Sequence, residues 1–106
     1  MEKAEGPTLE ARTDIAHVYA ISGRRAEAEK ILQEFALRAK DHYVPPTDFA
    51  KIHAGLGNKD EAFAWLEKAY AERESRMEFI KTDPNYDSLH SDPRFQEMLR
   101  RLNLGD

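Results

Sequence analysis

Apolar positions recur at helical spacing along most of the chain, in stretches separated by glycine and proline. The first stretch follows Gly6-Pro7-Thr8 and carries Leu9, Ala11, Ile15, Val18, Tyr19 and Ala20. Proline suits the start of a helix, where its missing N–H would have no partner anyway. Gly23 then ends the helix, as a glycine in the left-handed conformation does just past a C-terminus. A second helix is predicted from about Arg24 to Lys40, with Ala28, Ile31, Leu32, Phe35 and Ala39 at helical spacing. His42-Tyr43-Val44 before Pro45-Pro46 interrupts the pattern, because a residue preceding proline is pushed toward extended backbone. The third predicted helix, Pro46 to Leu56, uses Phe49, Ala50, Ile52, His53 and Ala54 and is closed by Gly57-Asn58. The fourth, about Lys59 to Glu74, uses Ala62, Phe63, Trp65, Leu66, Ala69 and Tyr70.

These helices repeat. Moved forward by 34 residues, Ala16 falls on Ala50, Ala20 on Ala54, Gly23 on Gly57, Ala28 on Ala62 and Leu32 on Leu66. A period near 34 with a helix–glycine turn–helix unit is the signature of stacked helical hairpins, and the small residues mark where helix axes approach closely. The match ends after Glu74, since a further shift puts Gly57 on Ser91 and Ala62 on Gln96. Two Asp-Pro pairs follow, Asp83-Pro84 and Asp92-Pro93, each an aspartate cap with proline in the first helical position. The first predicts a short turn, Asn85 to Leu89. The second predicts a helix from Pro93 to about Leu102 with Phe95, Met98, Leu99 and Leu102 on one face. Two hairpins cannot cover all of their own apolar surface, so the end of the chain is expected to close the stack. The predicted fold is all-α: two helical hairpins plus a C-terminal capping segment of short helices. Its expected organisation is an N-terminal tail (1–8) and a single domain (9–104), divided into repeat one (9–42), repeat two (43–76) and the cap (77–104).

Composition narrows the function classes. The 106 residues fit one domain, and 34% charged against 41% hydrophobic residues fit a soluble one. No apolar run approaches the length of a membrane span, and no cysteine is present for disulfides or thiolate metal sites. A cytoplasmic location is the expectation, with no membrane partner. The net charge of −4 argues against a nucleic-acid binder, which needs a basic face. The four histidines form no i, i+4 pair, no glycine-rich phosphate loop occurs, and no base stands near a serine. Neither enzymatic activity nor a cofactor or metal is expected. Capping alone is taken to account for Asp83 and Asp92, and His42 and His90 are expected to face solvent.

The pattern Ala16-Tyr19-Gly23-Ala28-Leu32 and Ala50-His53-Gly57-Ala62-Leu66-Ala69 resembles the tetratricopeptide repeat over about Leu9 to Glu74. It departs from the family pattern at His53 in an aromatic slot, Phe35 in a small one, Arg12 and Pro46 in the first aromatic slot, and Lys40 and Glu74 where a proline is usual. A narrower resemblance rests on Tyr43-Val44-Pro45-Pro46, Ala54-Gly55-Leu56-Gly57-Asn58-Lys59, Trp65-Leu66-Glu67-Lys68-Ala69-Tyr70 and Ser91-Asp92-Pro93-Arg94-Phe95. These segments are similar to the repeat tails of bacterial signalling proteins, attached to winged-helix regulators, serine/threonine kinases or adenylate cyclases. The resemblance implies a TPR-like α-α superhelix acting as a scaffold or sensory tail that binds a protein or peptide partner on its concave face. It implies either an excised fragment or a small stand-alone relative.

Carried onto this chain, the concave face takes Glu10, Thr13, Asp14, His17 and Ile21 from the first repeat. Val44, Thr47, Asp48, Lys51 and Gly55 come from the second. Thr13, Asp14, His17, Thr47, Asp48 and Lys51 are the candidate partner-binding residues. Asp14 and Asp48 in adjacent tiers would favour a basic or amine-bearing peptide. The outer edge of the first helix, Ala11, Ile15 and Val18, is a candidate surface for a homodimer or for further repeats. The competing reading is a small-ligand-binding or enzymatic protein with a pocket between repeats and cap, lined by Tyr19, His53 and Phe79.

Overall fold

The computed structural model describes residues 9–104, so the tail assigned to 1–8 lies outside the described residues. Every regular element among them is helical. Five α-helices, α1 (Leu9–Ile21), α2 (Arg25–Arg38), α3 (Pro46–Leu56), α4 (Lys59–Ala71) and α5 (Pro93–Arg101), are joined by two 3₁₀ turns, η1 (Ser75–Phe79) and η2 (Pro84–Leu89). No helix among them is long and apolar enough to cross a membrane.

The turns between helices follow from local chemistry. At the end of α3, Gly57 adopts φ +79° and its N–H reaches the Ala54 carbonyl (3.2 Å), while Asn58 N–H reaches His53 (3.0 Å). This pair of bonds satisfies carbonyls that the helix leaves unpaired. Gly23 (φ +88°) does the same after α1. After α4 the left-handed position falls on Arg73 (φ +57°), with Glu74 N–H on the Ala69 carbonyl at 3.0 Å. That turn ends α4 at Ala71, short of the predicted Glu74. A Cβ at Gly57 would meet nothing within 4 Å, so only backbone conformation opposes a side chain there. Gly57→Ala is therefore expected to cost about 1 kcal/mol and Arg73→Gly to gain a similar amount, shifting the melting midpoint by roughly 5 °C in opposite directions. Thermal melts of the two variants check both signs.

Packing places α3 at the centre, against α1, α2, α4 and η2. On one side Phe49, Ile52 and Leu56 meet Ala16, Ala28, Ile31, Phe35 and Val44. Phe35 stands edge-on to Phe49 (6.0 Å), and Trp65 stacks on the other face of this core against Phe49 (4.2 Å, 13° between planes). On the opposite side Ala50 and Ala54 join α4 and the C-terminal segment, through Phe63, Leu66, Tyr86, Leu89, Phe95 and Met98. Of the alanines at the expected close approaches, Ala16, Ala28, Ala50, Ala54 and Ala62 are buried and Ala20 is half-buried.

The sequence match ends at Glu74, yet the spacing continues. Helices α2, α4 and α5 begin at Arg25, Lys59 and Pro93. Across the α4–α5 contact, Asp60 pairs with Arg94 and Glu67 with Arg101, each pair separated by 34 residues. Ser88 Oγ donates to the Ala54 carbonyl (2.9 Å) at the same separation. The C-terminal segment thus meets α3 and α4 through contacts that share this 34-residue separation. Asp83 and Asp92 open η2 and α5 by accepting the N–H groups of Asn85 and Arg94, each at 2.9 Å.

Candidate functional site

The central position of α3 decides what happened to the expected concave wall. Nine of its 11 residues are buried, among them Thr47, Asp48 and Lys51. The expectation of a solvent-facing row there is corrected: the chain's own C-terminal segment covers it. Thr47 gives its N–H to Glu74 (3.1 Å) and its hydroxyl to the same carboxylate. Asp48 accepts from the Arg76 guanidinium at 2.9 Å, and the Lys51 ammonium lies 3.4 Å from Asp83. Thr13 is buried as well, its hydroxyl donating to the Leu9 carbonyl (2.9 Å). Polar identity suggested solvent, but these side chains find their partners inside.

Asp48 is the most constrained of them. Its side chain is fully buried, and its Oδ2 has no donor. The Thr13 hydroxyl has a single proton, already placed on Leu9. Burial pushes the Asp48 carboxyl above the ordinary carboxylate value, against the opposing pull of Arg76, Thr13 and Lys51. Burial likewise holds the Tyr86 phenol well above its usual range; its hydroxyl lies 3.5 Å from the Thr47 carbonyl.

What remains open is narrower and differently placed. Asp14, His17 and Val18 of α1 face Asp83, Pro84 and Asn85 across a depression of about 390 Å³, with Lys51 in its floor. A second depression of about 290 Å³, walled by Arg76, Phe79 and Thr82, shares Lys51 and Asp83 with the first. The two form one trough along the joint between α1 and the C-terminal segment. Three of the six candidate residues, Asp14, His17 and Lys51, therefore converge, while Thr13, Thr47 and Asp48 lie behind them.

His17 is held between two elements. A methyl group at Gly55 would stand 2.8 Å from His17 Cδ2 and 3.0 Å from Ala20 Cβ, so this glycine is what lets α1 seat the imidazole against α3. On its other side the ring is hydrogen-bonded to the Asn85 backbone. Burial lowers the His17 value below that of a free imidazole, although the Asn85 bond and the carboxylates of Asp83, Asp14 and Asp87 all oppose the shift. Burial thus favours the neutral ring. Asn85 also reaches toward Asp14, its Nδ2 lying 3.5 Å from Asp14 Oδ1.

Arg76, Asp83 and Asn85 were not among the candidate partner-binding residues, and Phe79 was expected only in the competing pocket with Tyr19 and His53. Capping does not account for all of Asp83: one oxygen takes Asn85, the other faces Lys51. His90 is also corrected, because it stacks on Phe95 (4.6 Å, 25°) with its Nε2 buried. Only the Asp-Pro motif gave a signal near this region, and a cap was the simplest reading of it.

Two further depressions lie elsewhere, one of about 270 Å³ beside Tyr70, Met77 and Leu102 and one of about 420 Å³ between α4 and α5 that is lined by ion pairs. Between α4 and α5, Arg94 bridges Asp60 (2.8 Å) and Asp92 (3.0 Å) over the Phe63 ring, and Arg101 pairs with Glu67 over Tyr70. Tyr19, His53 and Phe79, expected to line one pocket, have separate surroundings. Tyr19 lies in the α1–α2 core under Arg24, His53 meets Asn58 (3.3 Å), and Phe79 is on the trough. On the outer edge of α1, Ile15 is half-buried against the same core and Val18 is exposed. Among the described residues no three His, Asp or Glu side chains are grouped as a metal ion requires. No family model matches the chain, and no curated protein or solved structure matches it either.

Proposed function

We propose that this chain is a protein-interaction module, a tetratricopeptide-like stack of two hairpins and a capping third unit, acting as a scaffold or sensory part of a bacterial signalling or regulatory protein in the cytoplasm. The observation that carries the reading is the trough itself. Asp14, His17 and Lys51, placed by the repeat pattern on the partner-binding side of their helices, converge there beside exposed Val18 and Phe79. The even 34-residue spacing of α2, α4 and α5 supports the stacked-repeat architecture. The polar groups behind the trough are engaged in holding η1 and η2 on α3, which makes them structural. A partner is a protein or peptide segment laid across the joint between α1 and η2.

A random heptapeptide library displayed on phage and selected against the immobilised chain tests this. Recovered peptides are expected to shift the backbone amide resonances of Asp14, His17, Val18 and Asn85 in the ¹⁵N-labelled protein, and to leave those along the α4–α5 groove unmoved. Recovery no better than on bare support, or shifts confined to α4 and α5, would count against the reading.

A further inference from the structure

We infer that the trough selects an extended cationic segment, a lysine or arginine flanked by aliphatic residues, from its protein partner; this rests on the interaction-module reading above. The charge inventory points that way. Both cations of the trough are already committed, Lys51 to Asp83 (3.4 Å) and Arg76 to Asp48 (2.9 Å). Among the described residues no cation pairs with Asp14 or Asp87, both of which are exposed. Asp14 has only the long contact from Asn85 Nδ2 at 3.5 Å. Burial disfavours the charged form of the neighbouring His17 imidazole, which reduces the positive charge it can supply. Among the described residues Asp14, which lines the depression, and Asp87, which acts on His17 electrostatically, therefore have no counter-charge. A cation entering there gains from both, whereas a carboxylate or phosphate would meet like charge.

The apolar contribution comes from the two ends. Val18 is 56% exposed on α1, and Phe79 is 58% exposed at the far end of the trough, so each has surface left to bury against aliphatic groups. The two depressions, about 390 and 290 Å³, each hold roughly two side chains, which suits an extended strand of residues better than a helix 10–12 Å across. Val18 and Asp14 in one depression and Phe79 in the adjoining one thus offer apolar and anionic contacts side by side. A cationic residue with aliphatic neighbours is the sequence that satisfies them.

The heptapeptides recovered from the library supply the probe. Lysine or arginine is expected to be enriched several-fold at one position, with aliphatic neighbours. Changing that lysine to Nε-acetyl-lysine in a synthetic copy should weaken binding about fivefold in fluorescence anisotropy, as expected for surface charge pairs of about 1 kcal/mol. On the Asp14→Asn/Asp87→Asn chain, verified as folded by circular dichroism, the two peptides should bind alike. Val18→Ser and Phe79→Ser should weaken both peptides equally. Binders without basic enrichment, or a lysine preference that survives in the double variant, would overturn the inference while leaving an interaction surface in place. Recovery of no binder by a cooperatively folded chain would overturn both.

Discussion

Arg76→Met is expected to lower stability by about 3 kcal/mol at pH 7, and adding Asp48→Asn should restore most of the loss. A buried carboxylate that loses its partner is costly because nothing replaces the water it gave up. Asp48 is fully buried and one of its oxygens has no donor, so without Arg76 it keeps only the lesser pull of Thr13 and Lys51. The loss stays at the lower end of the range for broken buried pairs because the Arg76 side chain is 34% exposed and partly screened. There is also a ceiling. The stranded carboxyl can take a proton, and doing so at pH 7 from an ordinary value of 3.8 costs about 4 kcal/mol. That escape becomes cheaper by about 1.4 kcal/mol for each unit the pH falls. Urea denaturation of Arg76→Met should therefore show a penalty that shrinks toward pH 5. A penalty that does not change with pH would place the lost energy in packing instead of charge.

The parent protein has a related dependence with a defined sign. Because the folded value of Asp48 lies above the unfolded one, the native state holds this proton more tightly. Its contribution is favourable below the ordinary carboxylate value and is lost as pH rises through the raised folded value. Asp48→Asn removes that dependence. At pH 7 the variant should be as stable as the parent within about 1 kcal/mol, because the amide is cheaper to bury than the charge and Arg76 can turn to solvent.

The same residues explain where sequence reasoning stopped. Helix positions were readable because periodicity, the proline starts and Gly23 and Gly57 are local signals. The burial of Thr47, Asp48 and Lys51 was not, since their partners Glu74, Arg76 and Asp83 lie about thirty residues away and follow no period. Polar side chains at regular helical spacing look solvated until the element covering them is known. The even spacing of the α2, α4 and α5 starts was hidden for a different reason. The positions corresponding to buried Ala62, Phe63 and Leu66 are Gln96, Glu97 and Arg100, whereas α5 buries Phe95, Met98 and Leu99. The helix starts in register but turns a neighbouring face inward, so comparison residue by residue finds no match. Asp14 and His17 still border an open depression because they lie on a helix whose outer face no later segment fully covers.

Phe95→Ala is expected to cost about 4 kcal/mol, the largest effect of any single truncation proposed for the C-terminal segment. The ring is completely buried, stacked on His90 and tilted against Tyr86 (6.4 Å). Its removal leaves a cavity bordered by α5, η2 and α4, and the short 3₁₀ turn between them has little internal stability with which to close it. Phe79→Ala, which truncates a mostly exposed ring, should stay within about 0.5 kcal/mol. The way the damage spreads is as informative as its size. Helix α3 offers Ala50 and Ala54 to the cluster around Phe95 and Phe49 and Ile52 to the cluster around Phe35. Loosening the C-terminal segment also exposes the charges of Asp48 and Lys51 to solvent on one face of that shared helix. The two clusters should therefore fail together, giving a single denaturation transition at lower midpoint with an unchanged slope. Tryptophan fluorescence from Trp65, stacked on Phe49 in the first cluster, should coincide with far-ultraviolet circular dichroism. Two separated transitions would instead make the C-terminal segment an independent unit, detachable from α3 and from the trough it helps to form.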